Sequence, residues 1–194
     1  MDQDATLALF RRAGALLEGH FRLSSGLHSN GYLQSALVLQ HPGDAGALGA
    51  ALAERVAAWR PDVVLSPALG GVIIGHEVGR ALTVRALFAE RAEGKLTLRR
   101  GFSLSRGERV LIVEDVVTTG GSTRETIEVA TSTGAEVVGA AALIDRSGGT
   151  AQLGVPLEAL ARLSLPTYEP SSCPLCARGV PVTKPGSRPE IRDS

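Results

Sequence analysis

Val110-Leu-Ile-Val-Glu-Asp-Val-Val-Thr-Thr-Gly-Gly-Ser-Thr123 decides how the rest of the chain is read. Its apolar opening, Val110 to Val113, predicts a short strand buried on both faces. Two carboxylates, Glu114 and Asp115, follow at the strand's C-terminal end. Next comes Thr118-Thr-Gly-Gly-Ser-Thr123, small and rich in hydroxyls, and then a helical segment from Arg124 to Ser132. Strand, acids, loop and helix together make a phosphate cradle. Glycine lets the backbone approach a ligand, its N–H groups point at an anion, and the helix N-terminus adds partial positive charge. The acids would repel a bare phosphate, so they need another partner. Sugar hydroxyls or a divalent cation serve, and a ligand carrying ribose and phosphate together is expected.

Two common nucleotide sites are excluded. No Gly-Lys-Ser/Thr follows the strand, and no Gly-x-Gly-x-x-Gly follows any strand. The stretch Val113 to Thr123 resembles the phosphoribosyl-pyrophosphate signature of the type I phosphoribosyltransferases. The resemblance implies an α/β fold with a mostly parallel central sheet flanked by helices, a small N-terminal hood and a mobile basic loop. It implies that Glu114 and Asp115 hold the ribose hydroxyls. It also implies that Val116, Val117, Thr118, Thr119, Gly120, Gly121 and Ser122 wrap the 5′-phosphate. Magnesium is the implied cofactor, held mainly by the substrate and by no dedicated protein ligands.

Upstream, Asp62 to Ser66 is a second buried strand, followed by Pro67-Ala-Leu-Gly-Gly71 and a helix from Val72 to Leu82. This repeats the strand–glycine loop–helix unit, so a second anion site is expected. In the resembled family a loop here contacts pyrophosphate, which assigns Ala68, Leu69 and Gly70 to that ligand. Some orotate enzymes of the family carry a lysine where this chain has Gly70.

Residues 19–32 are rich in glycine, serine and histidine and read as largely loop. Within them Phe21, Leu23, Ser25, Gly26, His28, Ser29 and Tyr32 resemble the N-terminal signature of one subfamily, the orotate phosphoribosyltransferases. There the stretch lies over the pyrimidine, which assigns Ser25, Gly26 and Tyr32, with Thr118, to orotate. Ser24 stands where many of those enzymes have lysine. His28 is given no chemistry. Downstream, residues 136–144 read as a strand ending in Asp145-Arg146. Arginine at that rim matches a carboxylate bidentately, and the subfamily carries an arginine in the equivalent pair. Arg146 is therefore the expected anchor for orotate.

Glu90 to Gly101 holds Arg91, Lys95, Arg99 and Arg100. A charge run is usually a solvated face. The subfamily has a mobile basic loop here that reaches into the neighbouring subunit. Lys95 and Arg91 would then close over pyrophosphate in trans within a homodimer, with Lys95, Asp115 and Glu114 as the catalytic set. The implied reaction moves phosphoribose from phosphoribosyl pyrophosphate to orotate, in pyrimidine (UMP) biosynthesis. The signature alone also admits a purine enzyme of the same fold or a regulator that senses phosphoribosyl pyrophosphate. Arg146 and the Ser-Gly-x-His-Ser stretch oppose the first, and the neutral charge opposes the second.

The remaining expectations are scaffold. Residues 4–18 read as a helix capped by Asp4, residues 36–39 as a short strand, residues 44–59 as a helix, and residues 83–88 and 157–165 as strands. With 194 residues the chain fits one domain, its hood drawn from residues 1–40 and the C-terminal segment, its tail loose from about residue 184. Twenty basic and twenty acidic side chains balance, so no affinity for nucleic acid or membrane is expected, and an acidic N-terminus without an apolar run points to the cytoplasm. Cys173 and Cys176 have metal-ligand spacing. With all four histidines far back in the sequence, reduced thiols on a helical turn are the expectation, with zinc shared across a dimer the alternative.

Overall fold

The computed structural model describes residues 1–23 and 26–184. In chain order the elements are α1 (Gln3–Arg12), β1 (Leu16–Arg22), β2 (His28–Leu33), α2 (Ala36–Leu39), α3 (Pro42–Val56), β3 (Val63–Pro67), α4 (Gly70–Leu82), β4 (Arg85–Ala92), β5 (Lys95–Leu98), β6 (Arg109–Val117), α5 (Gly121–Ser132), β7 (Glu136–Asp145), β8 (Leu157–Arg162), β9 (Thr167–Tyr168) and α6 (Pro174–Ala177). Six strands form the main sheet in the order β5-β4-β3-β6-β7-β8, all neighbours parallel except β4 and β5. β1, β2 and β9 form a separate antiparallel sheet, the hood.

The continuous apolar runs are explained by burial on both faces. Along β6, Val110 and Ile112 join one core cluster while Leu111 and Val113 join the other, as strand alternation requires. The cluster on one side takes Leu48 and Leu52 from α3 and Ile74 and Val78 from α4. The opposite cluster takes Ala130 from α5. α4 approaches the sheet closely because its inner face is glycine. A Cβ on Gly75 would fall on the Ser66 hydroxyl of β3.

Several expectations need correction. The first helix ends at Arg12, because Gly14 turns the chain at φ +65°. Leu16 and Leu17 belong to β1, and the N-cap is Asp2, whose carboxylate accepts from Ala5 N–H at 2.8 Å. Residues 19–32 are mostly the β1–β2 hairpin rather than loop. A bulge between Glu18 and Phe21 breaks the alternation that would have revealed it. Residues 36–39 form a helical turn, too short for either periodicity to decide. The basic segment is a β4–β5 hairpin whose turn residues, Glu93 and Gly94, take φ of +53° and +84°. The tail beyond Lys184 lies outside the described residues, as do Ser24 and Ser25.

Candidate active site

The ends of β3, β6 and β7 meet at the C-terminal edge of the parallel sheet. From β3 the chain passes through α4 to β4 on one side, and from β6 through α5 to β7 on the other. The crevice between β3 and β6 is thus a topological switch point, where open parallel sheets bind ligands. β6 extends through the acids to Val117, with Val117 opposite Asp145.

Glu114 and Asp115 therefore point to opposite faces of one strand. Glu114 turns toward α5, where the Ser122 hydroxyl donates to its Oε2 at 2.9 Å. It is 5 % exposed. Burial, reinforced by the neighbouring Asp115 charge, pushes its carboxyl up to about 8. Asp115 turns toward the N-terminus of α4. A Cβ on Gly70 would lie 2.6 Å from its Oδ1, so glycine there makes room for the carboxylate. Asp115, Leu69 and Gly70 line one cavity of about 300 Å³. Leu69 is 87 % exposed, while Ala68 N–H is committed to the Ala89 carbonyl at 2.7 Å. Of this loop, the α4 N-terminus rather than Ala68 N–H can face an anion.

The loop after β6 leaves the hydroxyls of Thr118 and Thr119 open, while that of Ser122 is given to Glu114. Thr118, Thr119 and Ser122 are exposed. Gly120 precedes α5 at φ +77° and offers no side-chain cap, so first-turn amides of α5 stay available to an anion. A Cβ on Gly120 would meet Leu153 at 2.7 Å, a second reason for glycine. Arg124, which the sequence reading did not single out, donates from Nη1 to the Thr119 carbonyl at 2.9 Å and the Gln152 carbonyl at 3.2 Å. It positions the loop from behind. The contributions of Val116 and Val117 are backbone: Val117 is 1 % exposed and Val116 packs on the core.

Arg146 and Thr118 come together as expected. They line a cavity of about 440 Å³ with Thr119, Ser147, Leu165 and Thr167. The Arg146 Nε is buried with no hydrogen-bond partner among the described residues, and burial lowers the guanidinium pKa. Ser147 instead donates to Asp145, from N–H at 2.8 Å and from Oγ at 2.6 Å, which leaves Arg146 free of its sequence neighbour. The hood side of this cavity is Leu165 and Thr167. Tyr32 packs on Phe21 at 5.9 Å between ring centroids, Gly26 turns the hairpin at φ +88°, and neither lines the cavity. Ser25 lies outside the described residues.

Lys95 is not brought to Glu114 and Asp115 of its own chain. It lines a hollow of about 410 Å³ against α5 with Glu125 and Glu128. Its neighbours have acidic partners. Arg91 pairs with Glu125 at 3.0 Å, and Arg99 and Arg100 pair with Glu90 at 3.7 and 2.9 Å. The cysteines are free thiols at the turn of α6, as expected, but distance in sequence from the histidines does not keep them apart in space. Cys173 and Cys176 face His20 and His28, more than 140 residues away in sequence, across the hood.

Comparison with known proteins agrees with this fold. The phosphoribosyl transferase domain family matches residues 37–153, from α2 to just short of β8. The orotate phosphoribosyltransferase of Pelotomaculum thermopropionicum is 54 % identical over 97 % of this chain and 99 % of its own. That of Desulforamulus reducens is 53 % identical over 97 % and 98 %. The crystal structure of orotate phosphoribosyltransferase from Aeropyrum pernix superposes with a TM-score of 0.66 at 28 % identity, covering 81 % of this chain and 93 % of that one. A likeness that spans hood, switch-point crevice and basic hairpin alike is more than a shared phosphate loop, and on it the chain belongs to the orotate phosphoribosyltransferases, within the type I phosphoribosyltransferase fold.

Proposed function

We propose that the chain transfers the 5-phosphoribosyl group of phosphoribosyl pyrophosphate to orotate, giving orotidine 5′-monophosphate and pyrophosphate. The observation that carries this reading is Arg146. A half-buried guanidinium with an unpartnered Nε, in a cavity shared with Thr118 and Thr119, is built to receive a planar anion. The orotate carboxylate supplies one. The 5′-phosphate is read onto Thr118 to Ser122 and the α5 N-terminus, and the ribose hydroxyls onto Glu114 and Asp115. A bond from orotate N1 to the anomeric carbon forms as the bond to pyrophosphate breaks, and the N1 proton leaves to solvent or to the departing pyrophosphate. Negative charge gathers on the departing group, where the α4 N-terminus at Gly70 opposes it.

Magnesium suits this donor set. Asp115 is a half-exposed carboxylate at the crevice, and magnesium binds through one or two carboxylates plus substrate oxygens. When bound, it neutralises charge on the pyrophosphate. Arg91 and Lys95 are read as closing over the same group from the neighbouring subunit of a homodimer, excluding water from the activated sugar. Among the described residues no helix is long and apolar enough to cross a membrane, and a cytoplasmic location fits the reading.

The test is a competition of acceptors. Orotate, uracil, adenine, guanine and xanthine are each incubated with phosphoribosyl pyrophosphate and magnesium. Orotate is expected to be consumed fastest. Faster use of any purine would sink the assignment of Arg146 and the cavity.

A further inference from the structure

We propose that His20, His28, Cys173 and Cys176 form a structural zinc site that staples the hood to the C-terminal segment. Their ligand atoms all lie within 4.8 Å of one another. His20 Nε2 is 2.9 Å from His28 Nδ1, 3.5 Å from Cys173 Sγ and 3.8 Å from Cys176 Sγ, and Cys176 Sγ is 3.3 Å from His28 Nδ1. A tetrahedral zinc with bonds of about 2.0–2.3 Å spaces its ligand atoms roughly 3.3–3.8 Å apart. The four atoms therefore already stand near the corners of one coordination shell.

The outer contacts fit as well. The His20 Nδ1–H donates to the Val180 carbonyl at 2.7 Å, since that oxygen can only accept. The neutral ring then presents the Nε2 lone pair inward, the arrangement that orients metal-bound imidazoles. Cys173 is the N-cap residue of α6 and Cys176 lies one turn on, so both thiols leave the same end of a short helix. His20, His28 and Cys173 are 3 %, 7 % and 2 % exposed, while Cys176 is exposed and gives an ion its way in. Two thiolates and two neutral imidazoles bring a divalent ion to zero net charge, which makes burial affordable where a lone ion would not be. Soft sulfur with imidazole in a tetrahedron favours zinc over magnesium or calcium.

The β1–β2 ladder already joins the two histidines, but only a short β2–β9 pairing leads on to the cysteine segment. His20 is on β1, His28 opens β2, and the cysteines lie past β9. Past the cysteines the backbone link back to β1 is narrow: Thr183 N–H donates to the His20 carbonyl at 2.8 Å, and Arg22 N–H to the Thr183 carbonyl at 2.8 Å. A closed four-ligand site turns this seam into a cross-link, as in small metal-stabilised modules.

The experiment uses untagged full-length protein passed over a chelating resin. One zinc per chain is expected by elemental analysis. Replacement by cobalt should give the strong visible bands of a tetrahedral ion, with thiolate charge transfer in the near ultraviolet. Cys176→Ser, at the exposed ligand, should lose retained zinc. A strong chelator should lower the melting temperature of the wild type and leave that of the variant unchanged. If the variant does not fold, the wild-type zinc content and cobalt spectrum decide alone. Negligible zinc uptake, a cobalt spectrum of octahedral type, equal zinc in wild type and variant, or a Cys173–Cys176 disulfide found by mass spectrometry would each overturn the site.

Discussion

At the scale of single residues, the site depends on two side chains held in unusual states. Among the described residues the buried Arg146 Nε has no partner, which costs free energy that an incoming anion recovers. Arg146→Ala should raise the Michaelis constant for orotate by roughly thirtyfold, since truncating a charged pair costs about 2 kcal/mol or more. An unchanged constant, with steady-state kinetics run at saturating phosphoribosyl pyrophosphate, would remove Arg146 from the orotate site. Glu114 is the other case. Its carboxyl is pushed up to about 8 from 4.5, first by burial and then by Asp115. Between those two values the native chain holds a proton that the unfolded chain has lost. Stability therefore falls as pH rises through that window. Glutamine cannot titrate, so Glu114→Gln should gain in melting temperature relative to wild type as pH goes from about 5 to about 8. A difference flat in pH would show that Glu114 titrates normally. These states were only half legible in sequence. Asp145-Arg146 could be found at a strand end, but that Asp145 is engaged by Ser147 and Arg162 rather than by Arg146 is visible only in the fold. Adjacent acids could be seen too. That they face opposite sides of β6, one toward Ser122 and one toward Gly70, follows only once the strand is known to run through them.

At the scale of elements, legibility tracked burial on both faces. β3, β6 and β7 stand as continuous apolar runs because α3 and α4 cover one side and α5 the other. The hairpins did not stand out. β1 carries a bulge, and the exposed β4–β5 turn is dominated by charge that sequence alone ascribes to loop. The zinc ligands were separated for a related reason. Spacing along the chain says nothing of β2 pairing with β9, and that pairing brings the cysteine segment to the histidines. The α4 N-terminus gives a prediction that separates fold from function. Gly70 opens the helix, and a Cβ there would press on the Asp115 carboxylate at 2.6 Å. Alanine in a helix is favoured over glycine by up to about 1 kcal/mol. Gly70→Ala should therefore keep or raise the melting temperature while lowering kcat/KM for phosphoribosyl pyrophosphate. A variant with intact kinetics would mean that Asp115 moves aside at no cost and that the close approach serves packing alone.

At the scale of the whole molecule, the basic hairpin raises the question of whose site it serves. Within one chain Lys95 lies against α5, in a hollow with Glu125 and Glu128, and shares no cavity with Asp115 or Arg146. Among the described residues it makes no ion pair, whereas Arg91, Arg99 and Arg100 each do. The three arginines are largely exposed, so each pair holds its arginine by little and can be exchanged for a phosphate. A hairpin so placed is suited to reach outward to a second copy, with Lys95 meeting pyrophosphate there. Complementation tests this. One variant, Lys95→Ala, keeps its acids; the other, Asp115→Asn, keeps its lysine. Each alone should be nearly inactive. After mixing in equal amounts and subunit exchange, about half the dimers are mixed. If Lys95 acts in trans, each mixed dimer has one site with intact Asp115 from one chain and intact Lys95 from the other, and one site with neither. Activity should then approach about a quarter of wild type, half the sites in half the dimers. If Lys95 acts within its own chain, every site in the mixed dimer lacks one of the two groups and no activity returns. Exchange must be shown separately, by mixing tagged and untagged chains and recovering both on one affinity column. Silence after demonstrated exchange would place Lys95 in its own subunit and leave the Glu125–Glu128 hollow as its resting place.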